Sequence, residues 1–101
     1  MSDTTTQPRL KPRLKVEPPR MYKVVLLNDD YTPREFVVIV LNQVFHLGRD
    51  QAYKVMMSAH RQGACVVAVY TKDIAETKAA EANAAGRENG YPLAFTVERD
   101  T

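Results

Sequence analysis

The stretch Tyr22-Lys23-Val24-Val25-Leu26-Leu27-Asn28-Asp29-Asp30-Tyr31-Thr32-Pro33-Arg34-Glu35-Phe36 decides the fold. Its opening, Tyr22 to Leu27, is short, apolar and dense in Val and Leu, which reads as a strand. Its close spells a helix start. Thr32 can serve as N-cap, Pro33 suits the first helical position with its φ already set, and Glu35 stands at N3 to complete a capping box. Between the two, Asn28, Asp29 and Asp30 place an amide and two carboxylates in a tight loop. The chemistry of the chain turns on what those three side chains receive.

Working outward, residues 33–46 read as a helix. At about 100° per residue, Phe36, Val37, Val40, Leu41, Val44 and Phe45 fill one arc, the pattern of a core-facing amphipathic helix. Arg34 falls in that arc, where its stem either snorkels over the end of the core or forms the rim of an opening beside the Asn28 loop. Gly48 breaks the chain, and a second helix is expected over 49–62 with a stripe of Ala52, Tyr53, Met56 and Ala59. His60 belongs to the same stripe, either as a satisfied structural group or as the polar handle of a pocket. Gly63 suits the C-cap. Ala64 to Thr71 reads as a second strand, and Thr71 then caps an alanine-rich third helix over 72–87. After the Asn89-Gly90 turn, Leu93 to Arg99 alternates as a third strand, with Leu93, Phe95 and Val97 inward. The expected fold is α+β, in the order β-α-α-β-α-β: a small three-stranded antiparallel sheet packed with three helices.

Composition bounds what such a chain can do. At 101 residues with 45% apolar side chains, it can hold one modest core, expected over 21–101. The net charge of +2 hides an asymmetry. Residues 1–20 carry five bases against two acids (net +3), and residues 21–101 carry nine against ten (net −1). With Pro8, Pro12, Pro18 and Pro19 and few apolar residues, 1–20 reads as a disordered, extended arm: a solubilising leader, a partner-engaging segment or a nucleic-acid tail. The domain has no basic face interleaved with aromatics, so nucleic acid is not the expected partner. Nor is a membrane, because no apolar run approaches the ~18 residues of a span. Basic residues without an apolar stretch behind them do not make a secretory signal, and Cys65 is the single cysteine, so a cytoplasmic protein is expected.

No sequence signal favours catalysis. CxxC, HExxH, GxSxG and a Gly-rich phosphate loop are all missing. A metal at Asp29 and Asp30 would need several further hard oxygen ligands that nothing returns to the loop, so neither metal nor cofactor is expected. Cys65 sits in an apolar strand with no basic neighbour, which suits a small core residue better than a nucleophile. Binding is the better reading. Asn28, Asp29 or Asp30, and His60 offer several acceptors to a cationic amine, and an α-ammonium brings three donors. Val37, Met56 and Ala59 supply a dry hole for an attached apolar side chain.

Tyr22 to Pro33, followed by Glu35-Phe36-Val37, closely resembles the ClpS family of adaptor proteins. The resemblance resumes at Met56, Ala59-His60, Gln62-Gly63 and Ala75-Glu76-Thr77-Lys78, and ends near Pro92-Leu93. It implies an adaptor without enzymatic activity, acting as a monomer. Such an adaptor binds proteins beginning with Leu, Phe, Tyr or Trp (N-degrons) and delivers them to a Clp AAA+ unfoldase of the ClpA type, through its N-terminal domain, and to the ClpP peptidase. By the same resemblance, Asn28, Asp30 and His60 bind the α-amino group and first peptide bond, with Asp29 and Thr32 in support. Arg34, Val37, Met56, Ala59 and Leu93 form the side-chain pocket, and Asp73, Glu76 and Lys78 form the unfoldase-docking face. Two positions depart from the family's common pattern: Arg34 stands where Met is usual, and Ala59 where a larger aliphatic residue is often found. The competing expectation is a non-enzymatic α+β interaction module resembling a ribosomal stalk-like domain.

Overall fold

A computed structural model describes residues 17–101. Of the arm expected over 1–20, residues 1–16 lie outside the described residues, and 17–20 are exposed and without regular structure. The elements are β1 (Met21–Leu27), α1 (Arg34–Phe45), α2 (Arg49–Gln62), β2 (Ala64–Thr71), α3 (Lys72–Glu88) and β3 (Phe95–Arg99). β1 is the middle strand of an antiparallel sheet ordered β2-β1-β3, pairing Leu27 with Ala64 on one side and Leu26 with Phe95 on the other. The register shifts between Val24, opposite Ala68, and Val25, opposite Val66, so Val67 is the extra residue of a bulge.

The helices cover one face of the sheet. Val24 and Leu26 enter the core between α1, α2 and α3, whereas Val25, flanked across the strands by Val66 and Thr96, is buried on the other face. α3 buries Ala75, Ala79, Ala82 and Gly86, a stripe of small residues that lets its backbone lie close to the strands. Phe45 of α1 meets Phe95 of β3 with ring centroids 5.3 Å apart, tying the helical layer to the sheet. The Lys78 ammonium donates to the Val44 carbonyl at 2.8 Å, placing a cation on the C-terminal end of α1, where the helix dipole favours it.

Four expectations are corrected. Thr32 does not cap α1. Pro33 holds that place with ψ 138°, no side chain caps the helix, and the first turn closes on the Pro33 carbonyl. The Thr32 hydroxyl is spent on Asp29 instead, 2.9 Å away. α1 ends at Phe45, before Gly48, because His46 adopts the left-handed conformation (φ 61°) and its N–H donates to Asn42 O, while the Asn42 side chain donates to Leu47 O. Gly48 begins α2. Val55, and not Tyr53, joins Ala52, Met56 and Ala59 in the buried stripe, and Tyr53 is exposed. β3 begins at Phe95, leaving Tyr91–Ala94 as a strip of irregular chain fixed to its neighbours by hydrogen bonds.

Candidate functional site

At the end of β1 the chain must leave the sheet and enter α1, and one side chain shapes that passage. Asp29 Oδ1 accepts from the Tyr31 N–H (2.9 Å) and the Thr32 N–H (2.7 Å), and Oδ2 accepts from the Thr32 hydroxyl. These bonds fold the loop back on itself and bury Thr32, the one polar residue in the interior among the described residues. The loop is fixed to the scaffold at its start, where the Asn28 N–H donates to the Gly63 carbonyl at the end of α2, and the Leu27 N–H donates to Ala94 O. Gly63 can offer its carbonyl there because it adopts a positive φ of 91°.

The folded loop overhangs a cavity of about 280 Å³. Asn28, Asp29, Asp30 and Thr32 line it from the loop, Arg34 and Val37 from α1, Met56, Ala59 and His60 from α2, and Leu93 from the strip before β3. All ten residues expected to bind an amine and its side chain therefore meet at one opening. The sides differ in character. Val37, Met56, Ala59 and Leu93 are buried and form a continuous apolar wall. Asn28, Asp30, Arg34 and His60 are exposed on the rim. His60 thus stands at the edge of α2's buried stripe and not within it. Arg34 forms rim, its backbone opening α1 and its side chain in solvent.

Among the described residues, no hydrogen bond or ion pair engages the side chains of Asn28, Asp30 or His60, whereas those made by Asp29 all lie within its own loop. The rim is therefore divided. Asp29 is structural, and Asn28, Asp30 and His60 keep their acceptors available over the cavity. The sequence reading missed Leu26, Leu27, Tyr31 and Pro33, which also line the opening. Their signal was adjacency to the loop, and Tyr31 is the most notable, left 82% exposed beside the mouth. No group of three or more His, Cys, Asp or Glu among the described residues is placed to hold a metal ion.

A second cleft of about 440 Å³ lies between the starts of α1 and α2 and shares Arg34 and Met56 with the first. It is larger, but its charges alternate in sign, Arg34 with Glu35 and Arg49 with Asp50, so it offers no convergent set of acceptors. The expected docking residues lie away from both clefts, on α3. Asp73 and Glu76 are exposed, and Lys78 is half-buried with its ammonium on Val44. No helix of the described residues is long and apolar enough to cross a membrane.

Comparison with known proteins places this geometry. Residues 17–96 match the family model for the ATP-dependent Clp protease adaptor protein ClpS. The chain is 58% identical over 98 residues to ATP-dependent Clp protease adapter protein ClpS 1 of Bradyrhizobium diazoefficiens, covering 97% of each chain. It is 58% identical over 98 residues, with the same coverage, to ClpS 2 of Mesorhizobium japonicum. Among solved structures, Agrobacterium tumefaciens ClpS2 bound to L-phenylalaninamide superposes with a TM-score of 0.81 at 58% identity, over 82% of this chain and all of that one. These matches favour the adaptor over the stalk-like interaction module, and the adaptor family is not catalytic. Fold, loop and comparisons agree: the chain belongs to the ClpS family of ATP-dependent Clp protease adaptors.

Proposed function

We propose that this protein binds the free amino terminus of proteins beginning with a large apolar residue (Leu, Phe, Tyr or Trp) and delivers them to a Clp AAA+ unfoldase and its peptidase. One observation carries the reading: the acceptors of Asn28, Asp30 and His60, unengaged among the described residues, line the same cavity as an apolar wall of Val37, Met56, Ala59 and Leu93. An α-ammonium has three donors and a charge, so it gains from several acceptors at once, one of them a carboxylate. The attached side chain then leaves water against the wall, and burying it contributes roughly 1.5–3 kcal/mol. An acetylated terminus keeps the side chain but loses the charge and two donors. The ligand of Agrobacterium tumefaciens ClpS2, L-phenylalaninamide, has both parts of this chemistry in one molecule, an α-amino group and a benzyl side chain.

Delivery requires a second surface. The exposed carboxylates of Asp73 and Glu76, with Lys78 securing α3 to α1 beside them, form the face that would dock on the N-terminal domain of a ClpA-type unfoldase. The proline-rich basic segment over 1–20 would engage the same machine during transfer, and the adaptor would act as a monomer. A reconstituted degradation assay tests the proposal. A reporter protein led by Phe is degraded by the unfoldase and peptidase only when this adaptor is added, and a Phe-led peptide in excess stops it. Degradation at the same rate without the adaptor contradicts it.

A further inference from the structure

Gly86 sits inside α3, where its backbone gains nothing from being glycine: it is helical, and an Ala there would favour the helix. The reason lies in what faces it. A Cβ at this position would stand 3.0 Å from Leu93 Cβ and 3.3 Å from the Tyr91 carbonyl oxygen. Leu93 in turn lines the cavity, so it stands between α3 and the space a bound side chain would fill.

The strip carrying Leu93 is fixed at both ends. The Tyr91 N–H donates to Gly86 O at 2.8 Å. Three residues before Gly86, and so on the same face of α3, the Asn83 side chain meets the Phe95 backbone twice: Oδ1 accepts the Phe95 N–H at 2.8 Å, and Nδ2 donates to Phe95 O at 3.1 Å. On the other side, Ala94 O accepts from the Leu27 N–H, and Tyr91 packs on Phe36 with ring centroids 4.8 Å apart. Leu93 therefore cannot slide along the strip. Behind it is packed helix and ahead of it is open volume, so any displacement from α3 enters the cavity.

We propose that Gly86 determines specificity and Asn83 positions the wall: together they hold Leu93 back against α3 and so set how large an N-terminal side chain the cavity admits. The proposal rests on the N-degron reading, and its test separates the two. Fluorescence titrations compare free-amino peptides led by Leu, Phe and Trp against the wild type, Gly86→Ala, Leu93→Ala, the double variant and Asn83→Ala. Binding by the wild type tests the N-degron reading; the ratios among the three peptides test this one. Those ratios are insensitive to a fraction of misfolded protein, which scales all three affinities alike.

Gly86→Ala should weaken the Trp-led peptide by about tenfold more than the Leu-led one, with Phe between, as overpacking of a filled site demands. In the Leu93→Ala background, adding Gly86→Ala should leave the ratios unchanged within about twofold, because the intermediary is gone. Asn83→Ala, which keeps α3 intact, should flatten the differences among the three by freeing the wall to yield. A uniform loss across the three peptides in Gly86→Ala, or unaltered ratios in both Gly86→Ala and Asn83→Ala, overturns the proposal. Failure of the wild type to bind any of the three removes the N-degron reading and this inference with it.

Discussion

The rim and the wall of the cavity are built in opposite ways. The rim comes mostly from one unbroken stretch, Asn28 to Arg34, with His60 added from α2, and Asn28, Asp30, Arg34 and His60 on it are exposed. The wall is assembled from Val37 on α1, Met56 and Ala59 on α2, and Leu93 before β3, and each of these is buried in the common core. The rim keeps its shape through the hydrogen bonds of a single carboxylate, Asp29, and the wall through the packing of the whole domain. It follows that rim substitutions should alter binding more than folding, except at Asp29, while wall substitutions should alter both.

Met56→Ala breaks the wall and carries the largest expected effect. Truncating this buried side chain should weaken binding of a Phe-led peptide by roughly 2–5 kcal/mol and lower the unfolding midpoint as well. Calorimetric titration beside a denaturant melt checks both, and unchanged affinity takes Met56 out of the wall. Asp29→Ala breaks the support of the rim. It leaves two N–H groups and the buried Thr32 hydroxyl without their acceptor, which should cost about 2 kcal/mol of stability. Loss of less than about 0.5 kcal/mol, the scale of an ordinary surface substitution, would mean that the loop is held by other means.

The smallest effect sharpens the comparison without damaging either side. His60 is exposed on the rim, where a ring nitrogen can accept from an ammonium. His60→Ala should therefore weaken binding of a Phe-led peptide by about tenfold, near the lower end of what a hydrogen bond to a charged group contributes, and leave the unfolding midpoint nearly unchanged. His60→Gln, whose amide oxygen also accepts, should recover part of that loss. Equal affinity of His60→Ala and the wild type would place the acceptors of the ammonium elsewhere on the rim.

The same contrast explains what the sequence made legible. The rim could be read because its residues are neighbours in the chain, and the order of elements because period and punctuation change cleanly at Asn28, Gly63 and Asn89-Gly90. Val55 was also within reach: Ala52, Val55, Met56 and Ala59 follow the i, i+3, i+4, i+7 spacing that Tyr53 interrupts. The wall, by contrast, came from the resemblance to a family as much as from the residues, since nothing local links Leu93 to Met56. Thr32 was misread because two acceptor schemes compete for one loop, and the nearby Asp29 carboxylate wins over a helix cap. His46 was misread because a left-handed residue is expected at glycine, yet Asn42 supports the turn two residues before Gly48. Gly86 gave no local sign, since its role depends on a contact with Leu93 that only the folded chain makes.

The central claim is that one cavity reads a charge and an apolar side chain together, and one titration tests it most directly. A labelled peptide led by Phe is compared with the same peptide acetylated at its amino terminus, at neutral pH and moderate salt. The free peptide should bind at least ~100-fold more tightly, because acetylation leaves the wall filled but the Asn28, Asp30 and His60 acceptors without their ammonium, a loss of about 3 kcal/mol for a charge-assisted set. Equal binding of the two forms would contradict the account.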